Sequence, residues 1–136
     1  MTRTLGLLAL VFLVASPVCA DPPFTPRQPE NTKNQEVTGA AGAATVVSLV
    51  APATAKAHLV RLDARCSSGQ AYVTITDGVS GPTIWSSPPS LTGTLTLTSQ
   101  WSPPLAGSFN QTMVITLSPC GGQNAVGVLD VQAHVF

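Results

Sequence analysis

One segment, residues 57–77 (AHLVRLDARCSSGQAYVTITD), restricts the fold more than any other part of the chain. Apolar and polar side chains alternate in its two arms, which flank a Ser-Ser-Gly turn. The residues predicted to face the core are Val60, Leu62, Ala64, Cys66, Ala71, Val73 and Ile75. A period of two is typical of half-buried antiparallel strands, so we expect a β-hairpin here. A slip of one residue would bury Arg61, Asp63 and Arg65, and the register is therefore strongly specified.

Further short strands are predicted along the rest of the chain, with Gly-, Pro- or Ser-rich turns between them. They cover residues 45–51, 83–87, 91–99, 111–118 and 125–136. In the last two strands the side chains predicted to share the inner face are Met113, Ile115, Leu117, Leu129, Val131, Ala133 and Val135. Those predicted to face out are Asp130, Gln132 and His134. Residues 101–107 (WSPPLAG) are expected to form an irregular segment that crosses from one strand to the next, because proline cannot donate a hydrogen bond within a sheet. About seven strands with no helical periodicity outside the N-terminal segment predict an all-β fold, an antiparallel β-sandwich of jelly-roll or immunoglobulin-like connectivity.

The N-terminal residues 1–20 have the features of a secretory signal peptide. Arg3 supplies a positive charge, residues 5–14 (LGLLALVFLV) an apolar run, and residues 18–20 (VCA) a cleavage site. We therefore expect a secreted protein, located in the periplasm or the extracellular space. One alternative is a membrane anchor, for which the apolar run is short. The other is a lipoprotein acylated at Cys19, although the residues before it match the lipoprotein pattern poorly. No membrane span is expected after cleavage.

Cleavage would leave an N-terminal segment and a domain. Residues 21–44 carry four prolines followed by small residues. Residues 21–36 (DPPFTPRQPENTKNQE) are not expected to pair in a sheet, so the whole region is predicted to be an extended arm or linker. Residues 45–136 are predicted to form the sandwich.

The charge of the mature chain restricts its partners. Removing Arg3 leaves five basic against six acidic residues, a net charge of −1. A nearly neutral chain provides no electrostatic footprint for nucleic acid. It also produces little repulsion between copies, which favours self-association.

Two cysteines, Cys66 and Cys120, remain after cleavage. An even number in an exported chain predicts one disulfide, and the alternative is two separate buried thiols. Both lie at predicted strand ends, so the bond would cross-link the sandwich near one edge or end. A metal site is not expected, because two cysteines without nearby histidines provide too few ligands. No motif implies any other cofactor.

The sequence also lacks the motifs of an enzyme. The side chains that titrate near neutral pH, His58 and His134, lie on predicted strands among ordinary surface residues. No Gly-x-Ser-x-Gly elbow, His-Glu-x-x-His motif or phosphate-binding glycine loop occurs. Asp77-Gly78 is better explained as a turn. We therefore expect a protein that is not an enzyme.

Three aromatic residues, Tyr72, Trp85 and Trp101, are predicted to lie near or outside the core face. Exposed aromatic rings on a β-sandwich can stack on sugar rings, which would make this a carbohydrate-binding module. The favoured interpretation is that the two tryptophans close the ends of the sandwich or lie in a subunit contact. The reason is that large aromatic side chains are usually well buried.

Several features of residues 57–136 are shared with a known group of proteins. They are the cysteine at the predicted hairpin, the DG-x-x-G-x-TIW segment at residues 77–85, the Cys-Gly before the last strand and the VQA near the C-terminus. In these features the chain resembles small β-sandwich proteins encoded among phage and prophage structural genes. The resemblance implies a structural role and supplies no site residues. The signal peptide departs from this pattern, because most virion proteins assemble in the cytoplasm. A secreted cellular protein and a virion component that crosses the envelope both stay open.

These observations predict an exported, non-enzymatic structural or surface-display module, with a phage-related virion or decoration-type protein as one form of it. Its expected partners are further copies of itself or another surface or virion protein. The alternative is a secreted carbohydrate-binding module that uses Tyr72, Trp85 or Trp101 to bind a glycan.

Overall fold

The computed structural model describes residues 32–88 and 95–136. Within these ranges eight β-strands and no helix are present. The strands are β1 (Thr32–Thr38), β2 (Thr45–Leu49), β3 (Ala57–Cys66), β4 (Val73–Asp77), β5 (Thr83–Ser86), β6 (Leu95–Ala106), β7 (Met113–Leu117) and β8 (Gly127–Val135). They form two four-stranded sheets, sheet A in the order β1-β8-β3-β6 and sheet B in the order β2-β7-β4-β5.

All strand pairs in both sheets are antiparallel. The all-β class and the antiparallel β-sandwich predicted from the sequence are therefore confirmed, with eight strands described where about seven were expected. The predicted signal peptide at residues 1–20 lies outside the described residues, as do residues 21–31 of the predicted arm.

The core lies between the sheets and consists mainly of aliphatic side chains. The largest fully buried ones are Leu49, Leu59, Leu62, Ile75, Met113, Ile115, Leu117 and Leu129. They come from strands of both sheets and belong to one packed cluster. Burying each such side chain stabilises the fold by about 1.5–3 kcal/mol relative to leaving it exposed. The alternation predicted for β4, β7 and β8 places its apolar residues in the interior of the sandwich.

The hairpin predicted for residues 57–77 is wrong. Strand β3 pairs with β6 and β8 in sheet A, whereas β4 pairs with β5 and β7 in sheet B. The Ser-Ser-Gly turn therefore carries the chain from one sheet to the other. Both arms have one apolar face, and stacking these faces across the core buries both of them. The alternation predicts which face is buried, but it does not distinguish a neighbour in the same sheet from one in the opposite sheet.

Val60 was also predicted to face the core, and it is only half-buried. The register of β3 against both neighbours shifts between Leu59 and Arg61, which marks a β-bulge. A bulge inserts one extra residue and reverses the alternation beyond it. As a result Leu59 and Leu62 both lie fully buried, although three positions separate them.

Part of the predicted arm belongs to sheet A. The expectation that residues 21–36 cannot pair in a sheet is wrong for residues 32–36, because β1 pairs with β8 from Thr32 opposite His134 to Thr38 opposite Val128. The four prolines all precede this segment. An edge strand needs little buried surface of its own, and here Val37 packs against the core.

Residues 101–107 were predicted to be irregular, and most of them belong to β6. The pairing of β6 with β3 passes from Gln100 to Leu105, so residues 101–104 have no partner on β3. The Ser102–Pro103 peptide is cis. Strand β6 lies at the edge of sheet A, so one of its two sides pairs with no neighbouring strand. A proline directed to that side breaks no hydrogen bond between strands. The prolines thus interrupt the pairing locally without ending the strand.

Candidate functional site

The predicted disulfide between Cys66 and Cys120 is present, with 5.8 Å between the two Cα atoms. Cys66 is the last residue of β3 in sheet A, and Cys120 follows β7 of sheet B, so the bond joins the two sheets at one end of the sandwich. Both residues are buried. A stable disulfide indicates a non-reducing, extracytoplasmic environment. A bilayer-spanning helix is not found in the part of the chain that the structure describes.

Two turns pack against each other beside this bond. The backbone N–H of Gly121 donates to the carbonyl of Gln70 over 3.0 Å, and the N–H of Val126 donates to the Ser67 hydroxyl over 2.9 Å. Gly69 has a φ of +84°, and a Cβ at this position would collide with the backbone of Gly121. The end of the sandwich is therefore a tightly built structural element.

The structure brings together two of the three aromatic residues considered for glycan binding. The rings of Trp85 and Trp101 meet edge to face, with 5.4 Å between their centroids and 85° between their planes. Both are half-buried against the core. They lie on β5 and β6, the edge strands of opposite sheets, so the pair closes one side of the sandwich. Trp85 is opposite the buried Ile75, whereas Tyr72 lies on the other face of the sheet and is 49% exposed. The three rings do not form one platform.

The outer face of sheet B, called the uncharged face below, has no charged side chain at the outward positions of its described strands. Its outward residues in β2, β7 and β4 form two cross-strand rows, Val46–Thr116–Thr74 and Ser48–Val114–Thr76. The one charged residue in these strands, Asp77, lies at the end of β4, and its carboxylate accepts a hydrogen bond from the backbone N–H of Ser108 over 2.9 Å. Val46 is 46% exposed.

The outer face of sheet A, called the charged face below, is different. Arg61 lies opposite Gln132, and Asp63 lies opposite Asp130. The Nε–H of Arg61 donates to the Asp63 carboxylate over 2.8 Å, and the hydroxyl of Thr98 donates to it over 2.6 Å. A depression of about 290 Å³ lies on this face, lined by Asn34, Arg61, Asp63, Asp130 and Gln132. Its walls contain carboxylates, amides and a guanidinium.

The two histidines lie at one end of the charged face, directly opposite each other on β3 and β8. The His58 ring stacks on Phe136 with 4.2 Å between centroids and 4° between planes. Partial burial lowers the pKa of His58 from its ordinary value of 6.5, with smaller contributions from the nearby Lys56 and His134. Across the described ranges, no group of three or more His, Cys, Asp or Glu side chains is arranged to hold a metal ion.

Comparison with protein-family models, with curated proteins and with solved structures finds no match for this chain. The site must therefore be interpreted from its own geometry. The sequence alternation correctly placed Arg61, Asp63, Asp130 and Gln132 on outer faces. It gave no sign that β3, β8 and β1 are neighbours, and this adjacency is what builds the depression. Outward polar residues on several strands were the only available signal.

Proposed function

We propose that this chain is an exported, non-enzymatic structural or surface-display module that associates with further copies through the uncharged face of sheet B. The observation that carries the proposal is the absence of charge from the outward positions of the described β2, β4, β5 and β7 strands. The opposite sheet has Arg61, Asp63, Arg65 and Asp130 on its outer face.

The side chains of the uncharged face suit contact with a copy of the same face. Threonine hydroxyls both donate and accept hydrogen bonds, so they can pair with one another. Val46 and Val114 contribute apolar surface that water would otherwise cover. Bringing two such faces together opposes no like charges. The face of sheet A would instead have to remove water from several charged side chains to contact its own copy.

The size of the face determines how strong this association is. Four strands spaced about 4.8 Å apart and four or five residues long, at about 3.4 Å per residue, cover about 300 Å². A standard interface buries about 800 Å² on each partner. The association is therefore weak in dilute solution. It becomes effective where copies are held at high local concentration, as in a surface layer or on a particle.

The expected signal peptide and the resemblance of residues 57–136 to phage-encoded sandwich proteins belong to the same proposal. The disulfide supports it, because a cross-link between sheets protects a module that works outside the reducing cytoplasm. A decoration-type protein on a virion is one form of such a module. A secreted cellular surface protein is the other.

Sedimentation velocity over a dilution series from micromolar to millimolar protein tests the proposal. The wild-type chain is expected to associate as its concentration rises. Thr116→Lys, at the centre of the uncharged face, should abolish this association by opposing two ammonium groups. Thr38→Lys is the matched control, since it places the same change at an exposed position on sheet A. Circular dichroism verifies that both variants fold. A wild-type chain that is monomeric at millimolar concentration would refute the proposal.

A further inference from the structure

The depression on the charged face has no role in the proposed association, because it lies on the opposite sheet. Its five lining side chains come from three adjacent strands, β1, β8 and β3. Asn34 lies opposite Gln132, which lies opposite Arg61, and the row beside it contains Asp130 and Asp63. Side chains opposite one another in antiparallel strands have Cβ atoms about 4.5–5.5 Å apart. Strands hold such groups more rigidly than loops do.

One pair in this depression is unfavourable for folding. Asp63 and Asp130 are directly opposite, and like charges in that position destabilise a sheet. Arg61 and Thr98 offset the charge of Asp63. In the described ranges, the Asp130 carboxylate has neither an ion-pair partner nor a hydrogen-bond donor from the protein. A local departure from what stability favours is typical of a functional position.

The mixture of groups selects the kind of ligand. Arg61 and the two amides supply hydrogen-bond donors, whereas the two carboxylates and the amide oxygens supply acceptors. A simple ammonium ion would use only the acceptors, and an inorganic anion would use only the donors. Adjacent hydroxyl groups on a sugar ring lie close together, and each can both donate and accept a hydrogen bond, so they can use the donors and the acceptors of the depression. The depression of about 290 Å³ lies at the small end of ligand sites, so it suits a single ring.

We propose that this depression binds a saccharide through one pyranose ring, with Asp130, Arg61, Asn34 and Gln132 as its hydrogen-bonding groups. This site is separate from Tyr72, Trp85 and Trp101, the residues that the sequence suggested for glycan binding. Since no aromatic ring lines it, stacking adds nothing and binding is weak. The site also stays accessible to a sugar when two uncharged faces associate, because the outer faces of the two sheets lie on opposite sides of the sandwich.

Nuclear magnetic resonance of the ¹⁵N-labelled protein tests the site directly. Glucose, galactose, mannose and N-acetylglucosamine are titrated separately to millimolar concentrations. The side-chain N–H signals of Asn34, Gln132 and Arg61 should shift and saturate with at least one sugar. The side-chain amides of Asn110 and Gln111, which lie outside the depression, are the internal control and should not move.

Two variants complete the experiment. Asp130→Ala should weaken sugar binding at least tenfold, because it removes the free carboxylate from the site. Glu36→Gln is the matched control: Glu36 lies opposite Asp130 in the same row but does not line the depression, so binding should be unchanged. Thermal denaturation verifies folding, and Asp130→Ala also removes the like-charge pair, so it should not destabilise the domain.

Four results would overturn the proposal. The first is no shift with any of the sugars, and the second is binding by Asp130→Ala that equals the wild type. The third is a shift confined to the indole N–H signals of Trp85 and Trp101, which would move sugar binding to the aromatic pair. The fourth is a shift of the lining residues with calcium chloride alone, which would make the site one for a cation.

Discussion

Breaking the Cys66–Cys120 disulfide should destabilise this domain more than any single surface substitution. The two cysteines are 54 positions apart in sequence, so the bond closes a long loop in the unfolded chain. The chain-entropy relation gives about 4 kcal/mol for a loop of this length. A domain of about 100 residues loses roughly 4–8 °C of Tm per kcal/mol, so the expected decrease is roughly 15–30 °C.

Alanine is the suitable replacement at both positions. Cys66 and Cys120 are 1% and 4% exposed, and a serine at either would bury a hydroxyl at an added cost of about 1–3 kcal/mol. Each single substitution, Cys66→Ala or Cys120→Ala, already breaks the shared bond. The double substitution should therefore cost little more than either one alone, instead of twice as much.

Urea denaturation of the wild type, the two single variants and the double variant measures these free energies of unfolding. Mass analysis of the native protein without reductant verifies that the wild type has no free thiol. The reasoning is refuted if the two single effects add in the double variant. It is also refuted if each single substitution costs less than about 1 kcal/mol, since loop closure would then contribute little.

Three further predictions follow from the core, the aromatic pair and His58. Ile115→Ala, at a fully buried position, should cost about 2–5 kcal/mol in chemical denaturation, whereas Val46→Ala on the outer face should cost about 0.5 kcal/mol. A double-mutant cycle of Trp85→Ala and Trp101→Ala should give a coupling of about 0.5–1.5 kcal/mol, and additive effects would contradict the edge-to-face contact. Burial lowers the pKa of His58 below 6.5, so the unfolded chain binds its proton more readily. The stability of the domain should therefore be full above pH 6.5 and decrease as the pH falls below 6.5. In thermal scans over this pH range, His58→Asn should make the Tm depend less on pH.

The fold class was predictable because the period-two alternation depends only on which side chains avoid water. Met113, Ile115 and Leu117 on β7 were assigned to the core from this pattern, and all three are fully buried. The disulfide was predictable for a similar reason, since only two cysteines remain after the expected cleavage. Both inferences need composition and local spacing alone.

The pairing of strands was not predictable from the same signals. The turn at residues 67–69 suggested a hairpin, but β3 and β4 lie in opposite sheets. Strand β1 lacks a strong apolar pattern, and its pairing with β8 depends on backbone hydrogen bonds to a strand about 100 residues away. The charged depression and the uncharged face both depend on that long-range order. For this reason neither could be found from the sequence.

The measurement that tests the proposed association most directly is a dilution series followed by ¹⁵N and methyl nuclear magnetic resonance. Between millimolar and micromolar protein, the signals of Val46, Thr74 and Thr116 on the uncharged face should move progressively. The signals of Asp63 and Asp130 on the charged face should stay in place. Spectra that superimpose over the whole range, or shifts confined to the charged face, would contradict association through sheet B.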